Sequence, residues 1–455
     1  MRYIFSGDTL SLSDVAEYID RFRRDREDIK SLYDQYKGKR DVGKSVPHTE
    51  GRPDNHCNTN LAKYIVDVAT GYFMGIPPTY LYSDDRAREC LSRIYDASDE
   101  TAINYSIAED MSICGMGYDL VYLDEDKDIK ITALDPREVF TIRDDGIAHH
   151  TLMAVRCWER TRNHETVTVG ELYEAGLTRT FELQGASVVI KTETPTPFRS
   201  VPVTEYPNTR QRQGDFAAAR VNIDAYNLAL SYASDDLESV ANAYLVLSGM
   251  EKPDEEEKEM LHKDRVLGLP SDGSAAYITK NIDSSSMTAH KRTLKADVMQ
   301  VCCVPDLDDE CFSGNASGEA LKYKLWGLNQ LFGRKKNAFD KALFRRMKLI
   351  CDGLRLTDNI ALEDIEDMVA IKFTKNMPSD VTGTLDNAIK ASSAGASQQT
   401  VREMLEPATG VTAEDEAARK AEDAAEGDYS DIATPKTEAK PKKTTKAKVT
   451  EDGGK

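Results

Sequence analysis

The chain has 455 residues and a formal net charge of −19, with 78 acidic against 59 basic side chains. That balance excludes a protein held to nucleic acid by bulk attraction; DNA, if involved, is met by local basic patches or passed through without tight binding. No run of about 18 apolar residues occurs, so no membrane span is expected, and the N-terminus is too weakly apolar for a signal peptide.

Residues 11–37 read as a highly charged helix, and a polar, extended stretch with Pro47 and Pro53 follows. Leu61–Phe73 is an amphipathic helix ended by Gly75 and Pro77-Pro78. Thr79–Tyr82 predicts a strand, and Ala87–Ser98 and Ala102–Gly115 predict helices. From residue 117 to 203 the pattern turns to strands: Tyr118–Leu123, Ile129–Ala133, Val139–Arg143, Thr151–Glu159, Thr166–Tyr173, Thr178–Glu182 and Ser187–Lys191.

A long helix is expected from Asp215 to about Ala243. A dense insertion follows, with strands at Tyr244–Ser248, Arg265–Leu269 and Ala275–Lys280. Between the first two lie six acids, Glu251, Asp254, Glu255, Glu256, Glu257 and Glu259. Isolated buried carboxylates are costly, so this run faces water. A helix over about Ser285–Val301 carries Lys291, Arg292 and Lys295, with Lys291 and Lys295 on one face at i,i+4. A phosphate-facing role and a solvated face compete for these three.

An acidic, glycine-bearing loop comes next, including Asp306, Asp308, Asp309, Glu310, Ser313, Gly314, Asn315, Ser317 and Gly318. Ser317 is a good N-cap, and Glu319 suits a first helical turn. The helix then runs from Glu319 to about Ile350 with apolar residues at helical spacing, roughly 45–50 Å long. Gly327 and Gly333 permit a kink. Its basic residues, Arg334, Lys335, Lys336, Lys341, Arg345, Arg346 and Lys348, read as a solvated face or inter-subunit ion pairs. Met368–Thr374 is a strand, and Leu385–Glu406 and Ala413–Glu426 are helices. From Gly427 the chain is lysine-rich and lacks the apolar residues for a packed core.

Chemical motifs fail one by one. Ser313–Gly318 is not a phosphate loop, because Glu319 stands where a lysine is needed. Asp124–Asp128 resembles a calcium loop but has Ile129 at the sixth position and Asp135 at the twelfth, so it reads as a hairpin tip. Gly115-Met116-Gly117 lacks a third glycine. His149-His150 point to opposite faces of a strand, and His48, His56 and Cys57 lack a second spaced pair, so no metal site is expected. The eight cysteines are scattered without a C-x-x-C pair and read as reduced, mostly buried thiols. No catalytic residue and no cofactor is assigned.

Several segments together resemble the portal (connector) proteins of tailed double-stranded DNA bacteriophages, of the type with long non-contractile tails. Asn58–Pro78 is similar to that family's N-terminal signature, an Asn-rich lead-in, a helix and then Gly-Tyr-hydrophobic-x-Gly-x-Pro. Leu134–Phe140 resembles its β-rich module. Pro202–Asn208 followed by Ile223–Asn227 resembles the entry to its first stem helix, and Ala243–Leu247 the step into its clip. Ser313–Gly318 with Ala320-Leu321 is similar to its tunnel loop.

The resemblance implies an α+β portal fold. Residues 1–215 would be the wing, with helices before a β-rich module. Stem helices over 216–243 and 285–304 would flank a clip over 244–284. Then would come the tunnel loop over 305–318, a long kinked helix over 319–350, a wing return over 351–384, crown helices over 385–426 and the Lys-rich tail over 427–455. It implies a homo-oligomeric ring, usually of twelve, at a unique capsid vertex of the virion, made in the host bacterial cytoplasm. DNA would be packaged and ejected through it. The partners implied are the terminase large subunit, head-completion (adaptor) proteins, capsid and scaffolding proteins and the double-stranded DNA in transit. The rivals are a carboxylate-dependent hydrolase and a monomeric DNA-associated adaptor.

Overall fold

A computed structural model describes residues 3–39, 43, 53–162, 165–241, 244–248, 273–278, 284–307, 323–357, 365–377, 381–409, 411 and 413–425. It divides into two compact units, Met1–Asn376 and Met377–Lys455.

The first unit opens with β1 (Tyr3–Phe5) and α1 (Leu12–Tyr36). Ser11 starts α1 with a capping box: its hydroxyl accepts from Asp14 N, and the Asp14 carboxylate accepts from Ser11 N at 2.9 Å. Then come α2 (Leu61–Met74), β2 (Thr79–Tyr82), α3 (Asp85–Ser98) and α4 (Glu100–Cys114). Asp84 and Asp99 cap α3 and α4 through their side chains. Gly115, at φ +89°, ends α4; a Cβ there would lie 2.3 Å from the Arg212 carbonyl oxygen, so only glycine lets the chains pass.

The strand-rich region holds β3 (Met116–Leu123), β4 (Ile129–Leu134), β5 (Val139–Asp144), β6 (Thr151–Arg162), β7 (Glu165–Glu174), β8 (Leu177–Gln184), β9 (Ser187–Pro195) and β10 (Val203–Pro207). It forms two sheets, ordered β10-β3-β4 and β1-β5-β6-β7-β8-β9. The larger is an antiparallel meander with β1 added in parallel beside β5. The expected hairpin tip is present: the Asp124 carboxylate accepts from Asp126 N and Asp128 N between β3 and β4.

A short 3-10 turn, Ala217–Ala219, precedes α5 (Arg220–Ala241), so this helix begins five residues after the expected Asp215. β11 (Tyr244–Ser248) pairs antiparallel with β12 (Ser274–Ile278), and α6 (Ser284–Cys302) follows. The strand expected at Arg265–Leu269 lies outside the described residues. The longest helix, α7, spans Trp326–Thr357. It therefore runs seven residues beyond the expected end at Ile350, because Ile350, Cys351 and Leu354 are buried and continue its apolar stripe. Its expected start at Glu319 lies outside the described residues. After α8 (Ile365–Met368), β13 (Val369–Lys372) pairs with β2, closing a link across nearly 290 positions of chain.

Two apolar clusters form the interior of this unit. One joins α1 to the meander, with the Phe22 and Phe140 rings 4.7 Å apart. The other wraps α2, α3, α4 and α7 around Phe73 and Phe339, whose rings meet edge to face at 5.5 Å. The second unit contains α9 (Val381–Ser393), α10 (Gln398–Thr409) and α11 (Ala413–Ala425). The single helix expected over Leu385–Glu406 is broken: Gly395 adopts φ +87° and Ala396 N bonds back to Ala391 O, a left-handed helix stop.

Candidate channel loop and its supports

The acidic loop is described only as far as Leu307. Its root is pinned from two sides. The Tyr64 hydroxyl on α2 donates to Pro305 O at 2.9 Å and accepts from Leu307 N at 3.0 Å. Lys295 Nζ on α6 lies 2.8 Å from Asp306 Oδ2. A candidate basic contact and a candidate channel acid thus satisfy each other within one protomer, while Lys291 is half-buried and Arg292 exposed. Asp308, Asp309, Glu310, Ser313, Gly314, Asn315, Ser317 and Gly318 lie outside the described residues. So do the six acids of the insertion, Glu251, Asp254, Glu255, Glu256, Glu257 and Glu259.

The Asn-rich lead-in clamps α5. Thr59 N donates to Asn227 Oδ1 at 3.2 Å, and Asn227 Nδ2 donates to Asn58 Oδ1 at 3.2 Å. One turn on, Cys57 N donates to Ser231 Oγ at 2.9 Å, and a further turn on, Asn55 N donates to Asp235 Oδ1 at 2.7 Å. An extended chain with no ladder partner has found its hydrogen bonds in side chains spaced four apart on one helix face. Asn60 completes the joint. At φ +50° it caps α2 through Lys63 N and donates from Nδ2 to Tyr36 O at the end of α1. The sequence held a faint signal for this clamp, the row Asn227, Ser231, Asp235 on an otherwise amphipathic helix.

The basic residues of α7 correct the expectation of a solvated face. Arg334, Lys341 and Lys348 are exposed, but Lys335 and Arg346 are 0 % exposed. Lys335 Nζ lies 2.8 Å from Asp215 Oδ2 and donates to Ser112 Oγ at 2.7 Å. Burial pulls its pKa below the ordinary lysine value, against the opposing pull of Asp215. Asp215 precedes α5, so this pair ties the long helix to the root of the first stem candidate. Arg346 reaches Asp119 Oδ2 at 2.5 Å, Glu100 Oε1 at 3.1 Å and Asn104 Oδ1 at 2.9 Å. Burial disfavours its charge, yet the phenol of Tyr206 and the carboxylates of Asp119 and Glu100 outweigh it and hold the guanidinium well above its ordinary pKa. Both cations were legible as basic and illegible as buried, because their carboxylate partners stand more than 100 residues away.

Two of the histidines set aside above sit beside single carboxylates. His150 Nδ1 lies 3.2 Å from Asp144 Oδ2, and His56 Nε2 3.3 Å from Asp54 Oδ1. Among the described residues no cluster of His, Cys, Asp and Glu could hold a metal ion.

The family profile "Phage portal protein, SPP1 Gp6-like" matches residues 15–428. The chain is 21 % identical over 415 residues to the portal protein of Clostridium phage phiCD119, covering 84 % of this chain and 90 % of that one. It is also similar to a chain from the neck of an empty gene transfer agent particle, at 13 % identity and a TM-score of 0.48. That alignment covers 83 % of this chain and 93 % of the other. A chain from the native gene transfer agent virion aligns over the same shares at 12 % identity and a TM-score of 0.46. A profile that spans nearly the whole chain settles the family: this protein belongs to the SPP1 Gp6-like phage portal proteins.

Proposed function

We infer that this portal protein acts at the capsid vertex as the channel through which the genome is packaged and ejected. The observation that carries the reading is the family match over residues 15–428. We read the assembly as a closed ring of about twelve copies, in keeping with single-faced helices such as α5, whose Val221 and Leu237 stay 77 % and 66 % exposed in the protomer. The β11–β12 hairpin and the acids between its strands would form the clip that meets the packaging motor and later the head-completion proteins. Asp306, Asp308, Asp309 and Glu310 would line the channel, where carboxylates repel phosphate and let the duplex pass without sticking. Lys295 against Asp306 supports a loop held at its base. The protomer is assigned no catalytic step.

Native mass spectrometry tests the ring: a large closed oligomer is expected, and well-folded monomer alone at micromolar concentration would refute it. Packaged DNA length tests the loop. Gly314→Pro should leave the ring intact and shorten or lose the packaged genome. Full-length genomes at normal yield would return the loop to the role of a solvated linker.

A further inference from the structure

An open cavity of about 480 Å³ lies between β2, the C-terminal turn of α3 and the start of α4. Its walls include Tyr80, Tyr82 and Tyr95, with Asp96, Asp99 and Glu100 beside them, and among the described residues no lysine or arginine lines it. The rings form a tilted row, Tyr80 to Tyr95 at 5.1 Å and Tyr80 to Tyr82 at 6.4 Å between centroids. Tyr95 is 6 % exposed, and its buried hydroxyl has no hydrogen-bond partner among the described residues. Buried polar groups are normally satisfied, so this hydroxyl is an exception in the wall beside the cavity.

The charge is equally lopsided. Glu100 is engaged by Arg346 and by the Tyr80 hydroxyl. Asp96 and Asp99 face solvent. Asp96 sits in the last turn of α3, where the helix dipole already concentrates negative charge, and that turn has no basic residue. Elsewhere the protein repeatedly combines an aromatic face and carboxylates around an arginine. Arg346 lies 5.5 Å from the Tyr206 ring and pairs with Asp119 and Glu100. Arg137 lies 4.5 Å from Tyr33 and pairs with Asp135, and Arg156 lies 4.6 Å from Trp158 and pairs with Glu138. In the cavity Glu100 already has Arg346 on its interior side, while Asp96 and Asp99, beside the same tyrosines, have no ion-pair partner among the described residues.

We propose that this cavity is a receptor for an arginine side chain presented by a partner protein, with the guanidinium against the tyrosine faces and forked to Asp96. A metal ion fits poorly, since the described residues hold no metal-ligating cluster and ring faces favour organic cations. A guanidinium suits the site better than an ammonium because it can stack and donate to a carboxylate at once.

Saturation-transfer NMR on the full chain tests this, with N-acetyl-arginine methylamide as probe beside its lysine and citrulline counterparts. Citrulline keeps the shape and loses the charge. The arginine signal should exceed the citrulline signal at least threefold. It should fall to the citrulline level in Asp96→Asn and Tyr82→Ala and persist in Tyr82→Phe, which keeps the ring. Equal arginine and citrulline signals on the unaltered chain would overturn the site. So would an arginine signal untouched by both substitutions. A lysine signal equal to that of arginine would overturn the guanidinium assignment.

Discussion

The fold treats the basic residues of two helices of this portal protein, α6 and α7, in opposite ways. On α6, Lys291, Arg292 and Lys295 stay at the surface or half-buried, and Lys295 meets Asp306 with each side chain more than a quarter exposed. On α7, Lys335 and Arg346 are shut away from water among carboxylates from α4, β3 and the approach to α5. The lesson is that local charge density says little about where a cation ends up. Lys335 and Arg346 sit eleven residues apart, three helical turns, on the same side as the apolar stripe. That placement commits them to the interior, where only paired charges are tolerated.

The sharpest break in this comparison is Arg346→Ala. It strands Asp119 and Glu100 in the interior, and a loss of about 3–5 kcal/mol is expected in urea unfolding. A change below about 1 kcal/mol would mean water reaches the site. Arg346→Lys should not restore stability, since one ammonium cannot fork to both acids.

Lys335→Met should cost about 3 kcal/mol by leaving Asp215 unpaired, and adding Asp215→Asn should recover more than half of it. If the double variant is simply additive, the pair is not what holds α7 to the root of α5.

Asp110 extends the comparison to a half-buried acid with no ion-pair partner among the described residues. Burial pushes its pKa up to about 7, although the Tyr33 hydroxyl donates to it at 2.5 Å. The folded pKa lies above the unfolded value of about 3.9, so the native state binds the proton more tightly. The stability this contributes is present below about pH 4 and is lost as pH rises through 7. Asp110→Asn, neutral throughout, should therefore gain on the parent between pH 5 and pH 8 by about 2 kcal/mol. A parallel pair of melting-temperature profiles would contradict the assignment.

The smallest effect belongs to α6. Lys295→Ala should lower stability by less than about 1 kcal/mol, and the loss should shrink as salt is raised. A loss as large as that of Lys335→Met would erase the distinction between the two helices.

Much of this architecture was legible because it rests on local rules. The strands from β3 to β9 follow alternation and turn residues, and α1 to α4 follow apolar periodicity with Ser11, Asp84 and Asp99 as caps. The break at Gly395 went unread because a glycine inside a helical pattern is tolerated or stops the helix according to the turn that follows. β1 and β10 also went unread. Each is short and gains its place only by pairing with a strand far along the chain, β5 and β3.

By itself the sequence determined the family, through an ordered set of segments, and most element boundaries, through periodicity and capping, all of which act within a few residues. The tertiary structure alone decided which charges are buried, that Asn55–Thr59 clamps α5, and that Tyr64 and Lys295 hold the base of the acidic loop. These depend on groups tens to hundreds of residues apart, and such a contact becomes worth its ordering cost only once the rest of the core has brought the two segments together.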